Sequence, residues 1–315
     1  MKIAVTTSTF AKESAEPLEL LRAAGFEVVL NPHGRKLTRD ETVVLLGEVD
    51  GVVAGTEALD RSVLEQLPRL KLIARVGTGM ENVDLACAAE RGIRVGNTPD
   101  GPTWAVAELA LAGLLALLRR VPHADAAIRR GEWAKPMGRL LHGRTVGVIG
   151  LGRIGKAWVR LLRPFEVDLL AVDPQRDAAF AREVHLEYGT LAEVLPRCDI
   201  VSLHLSGAPK APMIGRPEIA LMKRGALIMN LARGGWVDEA ALAEALTSGR
   251  LGGAYLDVFE QEPYAGPLRD VPNMLLTPHI GSYAVECRIQ MELDAARQVI
   301  DFFSHGGRPS GEQPT

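Results

Sequence analysis

The chain reads as an α/β protein built from two doubly wound domains of parallel sheet. Two observations predict this. Short β-branched apolar runs alternate with helix-patterned segments along nearly the whole length, as in βαβ units. A glycine-rich turn, Gly150-x-Gly152-x-x-Gly155, then falls midway along the chain, so the alternation begins a second time. At 315 residues the chain is long enough for two domains.

The first series predicts strands over 2–6, 26–30, 51–54, 71–75 and 93–95, with helices over 15–24, 39–46, 60–67 and 82–91. Residues 103–119, apolar from Trp104 to Leu118 apart from Glu108, read as a long helix that is apolar nearly all round. Such a helix is buried in a core or at a subunit contact. The second series predicts strands near 145–149, 168–172, 184–186, 199–203, 226–230, 251–256 and 274–276. Helices fill its intervals, including 153–163, 190–196 and 238–247. Six or seven strands opened by the glycine turn make a sheet of Rossmann type. The helix over 283–303 has no strand partner and is expected to return to the first domain. The expected division is therefore 1–98 with 283–315 as the substrate-binding domain and 99–282 as the nucleotide-binding domain, with ligands in a cleft between them. The tail after Ser304 is expected to be disordered.

The turn carries its full context. Val146 to Ile149 feeds it, KAWVRLLR follows, and Asp173 ends the next apolar run, eighteen residues past Gly155. That is a dinucleotide-binding fingerprint. Gly150 permits the tight turn, Gly152 lets the backbone approach a pyrophosphate, and Gly155 allows close helix–strand packing at a helix N-terminus that attracts phosphate. A carboxylate at Asp173 can accept both ribose hydroxyls of NAD and would repel the extra phosphate of NADP. Arg176 is a mild complication, because NADP enzymes place a cation nearby, and Asp173-Pro174 also reads as a plain turn opener.

Bulk properties narrow the partners. A formal net charge of −3 gives no sign of a nucleic-acid partner or an anionic membrane surface. Cys87, Cys198 and Cys287 are far apart in sequence, which argues against a disulfide framework or a metal site and suits a reducing cytoplasm. The N-terminal MKIAVTTSTF looks like a strand rather than a signal peptide, and the run 104–118 is too short to span a bilayer.

Three polar segments each follow a predicted strand: Asn230 to Gly235, Asp257 to Pro263, and Thr277 to Gly281. Strand ends on one edge of a sheet converge, so Arg233, Glu262 and His279 are candidates to share one site. Together they suit reduction of a 2-keto acid. Arg233 can grip substrate oxygens through its planar fork. His279 can supply a proton near neutral pH. Glu262 can orient the imidazole and favour its charged form. Singly, each has an ordinary reading as well: a strand-end cap, a solvated acidic loop, a turn histidine.

The segments LKLIARVGTGMENVDL, GIRVGNTPDG, GRTVGVIGLGRIGK, MNLARGGWVDEAAL, GGAYLDVFEQEP and TPHIGS resemble the D-isomer-specific 2-hydroxyacid dehydrogenase family, above all its D-3-phosphoglycerate dehydrogenase branch. The resemblance covers residues 1 to 303. It implies that Arg233, Glu262 and His279 are the catalytic residues. It implies cofactor contacts from Gly150, Gly152, Arg153, Ile154, Gly155 and Asp173, from His204, and from Leu231, Ala232, Arg233, Asp257, His279, Gly281 and Ser282. Thr78 would reach the cofactor from the first domain. Arg75, Val76 and Gly77, with the backbone amides through Gly79, would bind substrate beside Arg233 and His279, since such a loop forms an anion nest. No metal is implied. The cofactor implied is NAD, and the assembly a homodimer or homotetramer, with the helix 103–119 as candidate contact.

Departures mark where the resemblance thins. After the strand 199–203 the family has His-x-Pro-Leu and then a Thr, whereas this chain has His204-Leu205-Ser206-Gly207 and Ala211. The regulatory domain of longer members is not expected after the final helix, nor is serine feedback. Arg75, with Arg35, Lys36, Lys135 and Arg139, would suit 3-phosphoglycerate or another anionic 2-hydroxy acid, although surface cations are ordinary. The alternatives are a reductase for another small 2-keto acid of glyoxylate, hydroxypyruvate or pyruvate type, and an NADH-sensing corepressor-like binding protein.

Overall fold

The computed structural model of the protein describes residues 1–305, so the tail read as disordered lies, but for His305, outside the described residues. The chain divides into two compact units, one comprising Met1–Pro102 and the chain from Ser282 on, the other Thr103–Gly281.

The first unit contains β1 (Lys2–Val5), α1 (Glu16–Ala23), β2 (Glu27–Leu30), α2 (Arg39–Leu46), β3 (Gly51–Ala54), α3 (Arg61–Leu64), β4 (Leu72–Arg75), α4 (Leu85–Glu90) and β5 (Arg94–Asn97). Its sheet is parallel throughout, in the order β2-β1-β3-β4-β5. Helix starts follow the capping rules: Thr38 and Glu41 form a reciprocal box on α2, and Asp60 and Asp84 accept amides of the first turns of α3 and α4.

The second unit begins with α5 (Pro102–Leu118) and α6 (Val121–Arg129). It continues through β6 (Thr145–Ile149), α7 (Arg153–Leu162), β7 (Asp168–Val172), α8 (Ala178–Val184), β8 (Leu186–Tyr188), α9 (Leu191–Val194) and β9 (Ile200–Leu203). It closes with α10 (Arg216–Leu221), β10 (Ala226–Asn230), α11 (Glu239–Thr247), β11 (Leu251–Leu256) and β12 (Met274–Leu276). These strands form a seven-stranded parallel sheet, β12-β11-β10-β9-β6-β7-β8. Both faces are covered, as an all-parallel sheet demands. Val146 and Val148 of β6 pack with the wholly buried Trp158 and Leu162 of α7. Val201 and Leu203 of β9 pack in a second core with Leu242 and Leu246 of α11. The last helix, α12 (Val285–Ser304), lies against α1, β3, β4 and β5.

One expectation is corrected. The strand expected at 184–186 begins at Leu186, because α8 runs to Val184. Asp177 caps that helix through the amides of Ala179 and Phe180, and Phe180 and Val184, one turn apart, are both buried. The long apolar helix enters the core along one side and leaves another for the subunit contact that was the alternative expectation. Val106, Ala107, Ala110, Leu114 and Leu118 of α5 enter the core, while Trp104 is 52% exposed.

Candidate active site

The register of the sheet lines up three strand ends. Asn230 of β10 sits beside Leu256 of β11, and Leu256 beside Leu276 of β12. Parallel strands lie about 4.8 Å apart, so the segments that leave them start as neighbours on one edge. Arg233, Glu262 and His279 are carried by those three segments. Gly234 shows how closely two of them approach: a Cβ there would overlap the carbonyl of Phe259.

His279 meets Glu262 directly. Its Nδ1 lies 2.8 Å from Glu262 Oε2, while Oε1 of the same carboxylate accepts the Phe259 amide at 3.0 Å. Burial pushes the Glu262 carboxyl up, but these two hydrogen bonds and the charges of His279 and Arg233 outweigh it and hold it below its ordinary value. Arg233 is thus close enough to be felt at Glu262, and its Nη1 donates to the Ala232 carbonyl at 2.8 Å. The Asn230 side chain braces this turn, donating to Arg233 O at 2.8 Å and accepting from the Ala232 amide at 3.0 Å.

His279 stands at φ +53°, a left-handed conformation uncommon for a residue with a side chain. Asp257 holds it there. The Asp257 carbonyl accepts the His279 amide at 2.8 Å, and its carboxylate accepts the Ile280 and Gly281 amides at 2.9 and 2.8 Å and the Thr277 hydroxyl at 2.5 Å. Burial pushes the Asp257 carboxyl up against those donors. Both Asp257 oxygens therefore serve the turn that presents His279. Gly281 closes the second unit, and Ser282 begins the return to the first.

The glycine turn is shaped for a pyrophosphate. Gly150 sits at φ +91° with the His204 carbonyl where a Cβ would stand, so only glycine fits. A Cβ built on Gly152 meets open space, which leaves its backbone approachable at the start of α7, where Arg153 and Ile154 are partly to fully exposed. Gly155 packs against the Gly150 carbonyl too tightly for any Cβ. Asp173 Oδ2 accepts the Leu151 amide at 2.6 Å and Oδ1 the Gln175 amide at 2.7 Å. Each oxygen keeps a second lone-pair direction for a hydroxyl. Arg176 lies over the Tyr188 ring, 5.7 Å from its centroid. These residues fit a dinucleotide. His204 fits only through its backbone, since its ring is buried 5.0 Å from that of Trp158 and bonded to Ser202, and burial pushes the imidazole down to about 3. Leu231 and Ala232 are buried as well.

In the first unit the anion nest is narrower than expected. The Val76 amide donates to Ala54 O at 2.9 Å and the Gly77 amide to the Thr98 hydroxyl at 2.8 Å. Among the described residues no hydrogen bond is made by the Thr78 or Gly79 amide, and Thr78 is exposed. The expectation for Arg75 is also altered: its guanidinium turns back beneath Gly77 and donates to the Val76 carbonyl, so it supports the loop from within. Thr98 went unnoticed in the sequence. The signal was its place just past β5, whose Asn97 registers with Arg75 of β4. Of the other expected cations, Arg35 is locked in a two-pronged pair with Glu41 at 2.8 and 2.6 Å, and Arg139 donates to Gly225 O. Among the described residues, no group of three or more His, Cys, Asp or Glu side chains could hold a metal ion, and no helix is long and apolar enough to cross a membrane.

Residues 111–281 match the NAD binding domain of the D-isomer specific 2-hydroxyacid dehydrogenases. The chain is 40% identical over 270 residues to the D-3-phosphoglycerate dehydrogenase of Methanocaldococcus jannaschii, covering 84% of this chain and 51% of that protein. The chain belongs to this family. It is also 38% identical over 289 residues to the glyoxylate reductase of Pyrococcus furiosus, covering 88% and 86% of the two. A crystal structure of a glyoxylate reductase from Paecilomyes thermophila superposes with a TM-score of 0.86 at 28% identity, covering 97% of this chain and 96% of that one. The chain spans about half the length of the phosphoglycerate dehydrogenases it matches. The matched domain is the family's NAD binding domain, so the cofactor is NAD.

Proposed function

We propose that the chain is an NAD-dependent D-2-hydroxyacid dehydrogenase that reduces a small 2-keto acid. The observation that carries this reading is the 2.8 Å pair of His279 with Glu262, on strand ends beside Arg233 in the sheet that holds the fingerprint. Reduced nicotinamide, when bound, supplies the hydride to C2. Arg233 grips the carboxylate and polarises the ketone oxygen. His279 passes the proton on Nε2 to that oxygen as it becomes a hydroxyl, and Glu262 holds the Nδ1–H and balances the imidazolium charge. Within the first unit, the Thr78 and Gly79 amides are the part of the loop available to an anion. Asp173 takes the ribose hydroxyls, which favours NAD over NADP.

Relatives named for phosphoglycerate and for glyoxylate both align well, so the substrate's tail must be read from this chain. A phosphate tail wants guanidinium groups turned outward. Here Arg75 is folded into its own loop, with the buried carboxyl of Glu57 near enough to feel its charge, and Arg35 is paired with Glu41. The placement of these two guanidinium groups supports hydrogen or a short uncharged group at that end, as in glyoxylate or hydroxypyruvate, over the phosphate of 3-phosphoglycerate.

The test is purified protein with NADH and glyoxylate, hydroxypyruvate or phosphohydroxypyruvate, followed at the nicotinamide absorbance. A higher kcat/KM for the phosphorylated acid overturns the tail assignment. No turnover on any of the three or on pyruvate overturns the enzyme reading in favour of an NADH-sensing binding protein.

We further propose a cytoplasmic homodimer. Trp104, Val121, Ile128, Trp133, Met137 and Leu140 expose large apolar side chains along α5, α6 and the segment after them, and such patches mark protein contacts. This supports a contact that extends beyond the helix 103–119. The three free cysteines are all buried, in keeping with a reducing compartment. Sedimentation at equilibrium distinguishes the dimer from a tetramer or monomer.

A further inference from the structure

We propose that Tyr255 is a positioning residue for His279, acting through a half-buried chain of hydroxyls that ends on the carboxylate beneath the His279 turn. The proposal rests on reading His279 as the proton donor. Tyr255 is fully buried on β11, and its hydroxyl lies 3.1 Å from Thr277 Oγ1. Thr277 has one hydroxyl proton and gives it to Asp257 Oδ1 at 2.5 Å. The phenol must therefore be the donor to Thr277, and the chain has one direction: Tyr255 to Thr277 to Asp257. Burial pushes the phenol up to about 12, so it keeps the proton it donates.

The far end of this chain matters because of what Asp257 holds. Its carboxylate fixes the amides of Ile280 and Gly281, the two residues after His279, and its carbonyl fixes the His279 amide. A side-chain-bearing residue at φ +53° persists only where its surroundings determine it from several sides. Each donor removed from this network loosens the backbone that aims the imidazole. The phenol is accommodated by Gly113 of α5, where any Cβ would overlap the Tyr255 ring. Ring, hydroxyl relay and turn form one connected unit within this domain.

The experiment compares Tyr255→Phe, Thr277→Val and Thr277→Ser with the unaltered full chain. Tyr255→Phe keeps the ring and removes only the donor. Its Ile280 and Gly281 amides are expected to exchange with solvent about five- to tenfold faster, as the loss of one half-buried hydrogen bond implies. Its kcat is expected to fall about fivefold while KM for the keto acid and the Kd of NADH stay put. Thr277→Val should reproduce the faster exchange, and Thr277→Ser, which keeps a hydroxyl, should restore protection. Unchanged exchange and kcat in Tyr255→Phe overturn the proposal. So does a loss of NADH affinity equal to the loss of kcat, or faster exchange spread over the whole sheet, since either makes the phenol a general stabiliser. If no keto acid is turned over by the unaltered chain, the dehydrogenase reading fails, and the exchange measurement still decides the relay.

Discussion

The Nδ1 atom of His279 lies 2.8 Å from Glu262 Oε2, across two strand ends seventeen residues apart in sequence. A carboxylate held below its ordinary value beside an imidazole fixes which ring nitrogen faces away and supplies a counter-charge when the ring is protonated. Glu262→Gln keeps a hydrogen-bond acceptor and removes the charge. Turnover in keto-acid reduction should fall at least about tenfold with NADH affinity held. Turnover that stays in place would show that the charge of Glu262 plays no part.

Asp173 holds the glycine turn and, in the function proposed above, takes the ribose as well. Its Oδ2 accepts the Leu151 amide at 2.6 Å. Asp173→Ala removes both roles, so NADH should bind about tenfold or more weakly, and the gap between NADH and NADPH should close. Fluorescence titration with the two cofactors checks this, and an undiminished preference for NADH would end the ribose assignment.

Gly113 faces the Tyr255 ring with no room for a methyl group. Gly113→Ala gains helix propensity on α5 of about 1 kcal/mol, yet it overpacks a filled core, which costs about 1–3 kcal/mol. The ring cannot retreat, because Tyr255 is fully buried and its hydroxyl is engaged at 3.1 Å. Denaturant midpoints should therefore drop. A midpoint equal to or above that of the unaltered protein would show that the ring yields freely.

Glu57 is buried in the first unit, where the Thr6 hydroxyl donates to it at 2.5 Å and the Gly55 amide at 3.2 Å. Burial raises its carboxyl against those donors. A folded-state value above the unfolded one gives stability that is complete below the unfolded value and is lost as pH rises through the folded one. Glu57→Gln keeps an acceptor and removes the ionisation. Its Tm should exceed that of the unaltered protein by more at about pH 8 than at about pH 5. An equal difference at both would show that the carboxyl does not titrate over that range.

Much of the site was legible because its signals are local. The turn Gly150–Gly155 advertises a backbone conformation, and Asp173, Arg233, Glu262 and His279 announce themselves as polar residues at the ends of apolar runs. Arg75 and His204 were less transparent. Both stand at strand ends, but one guanidinium turns under its own loop and one imidazole turns into the core beside Trp158. The nest at 76–79 was legible as a glycine loop, yet the use of its first two amides was not, because Ala54 and Thr98 come from neighbouring strands.

The sequence by itself determined two parallel sheets, the glycine turn and the three polar segments at strand ends, since periodicity and glycine placement act over a few residues. Only the tertiary structure decided which side chains face one another. Gly113 and Tyr255, or Tyr255, Thr277 and Asp257, carry no periodic mark that joins them. Their pairing follows from packing and hydrogen-bond satisfaction between elements distant in the chain, and those constraints exist only once the sheet is assembled.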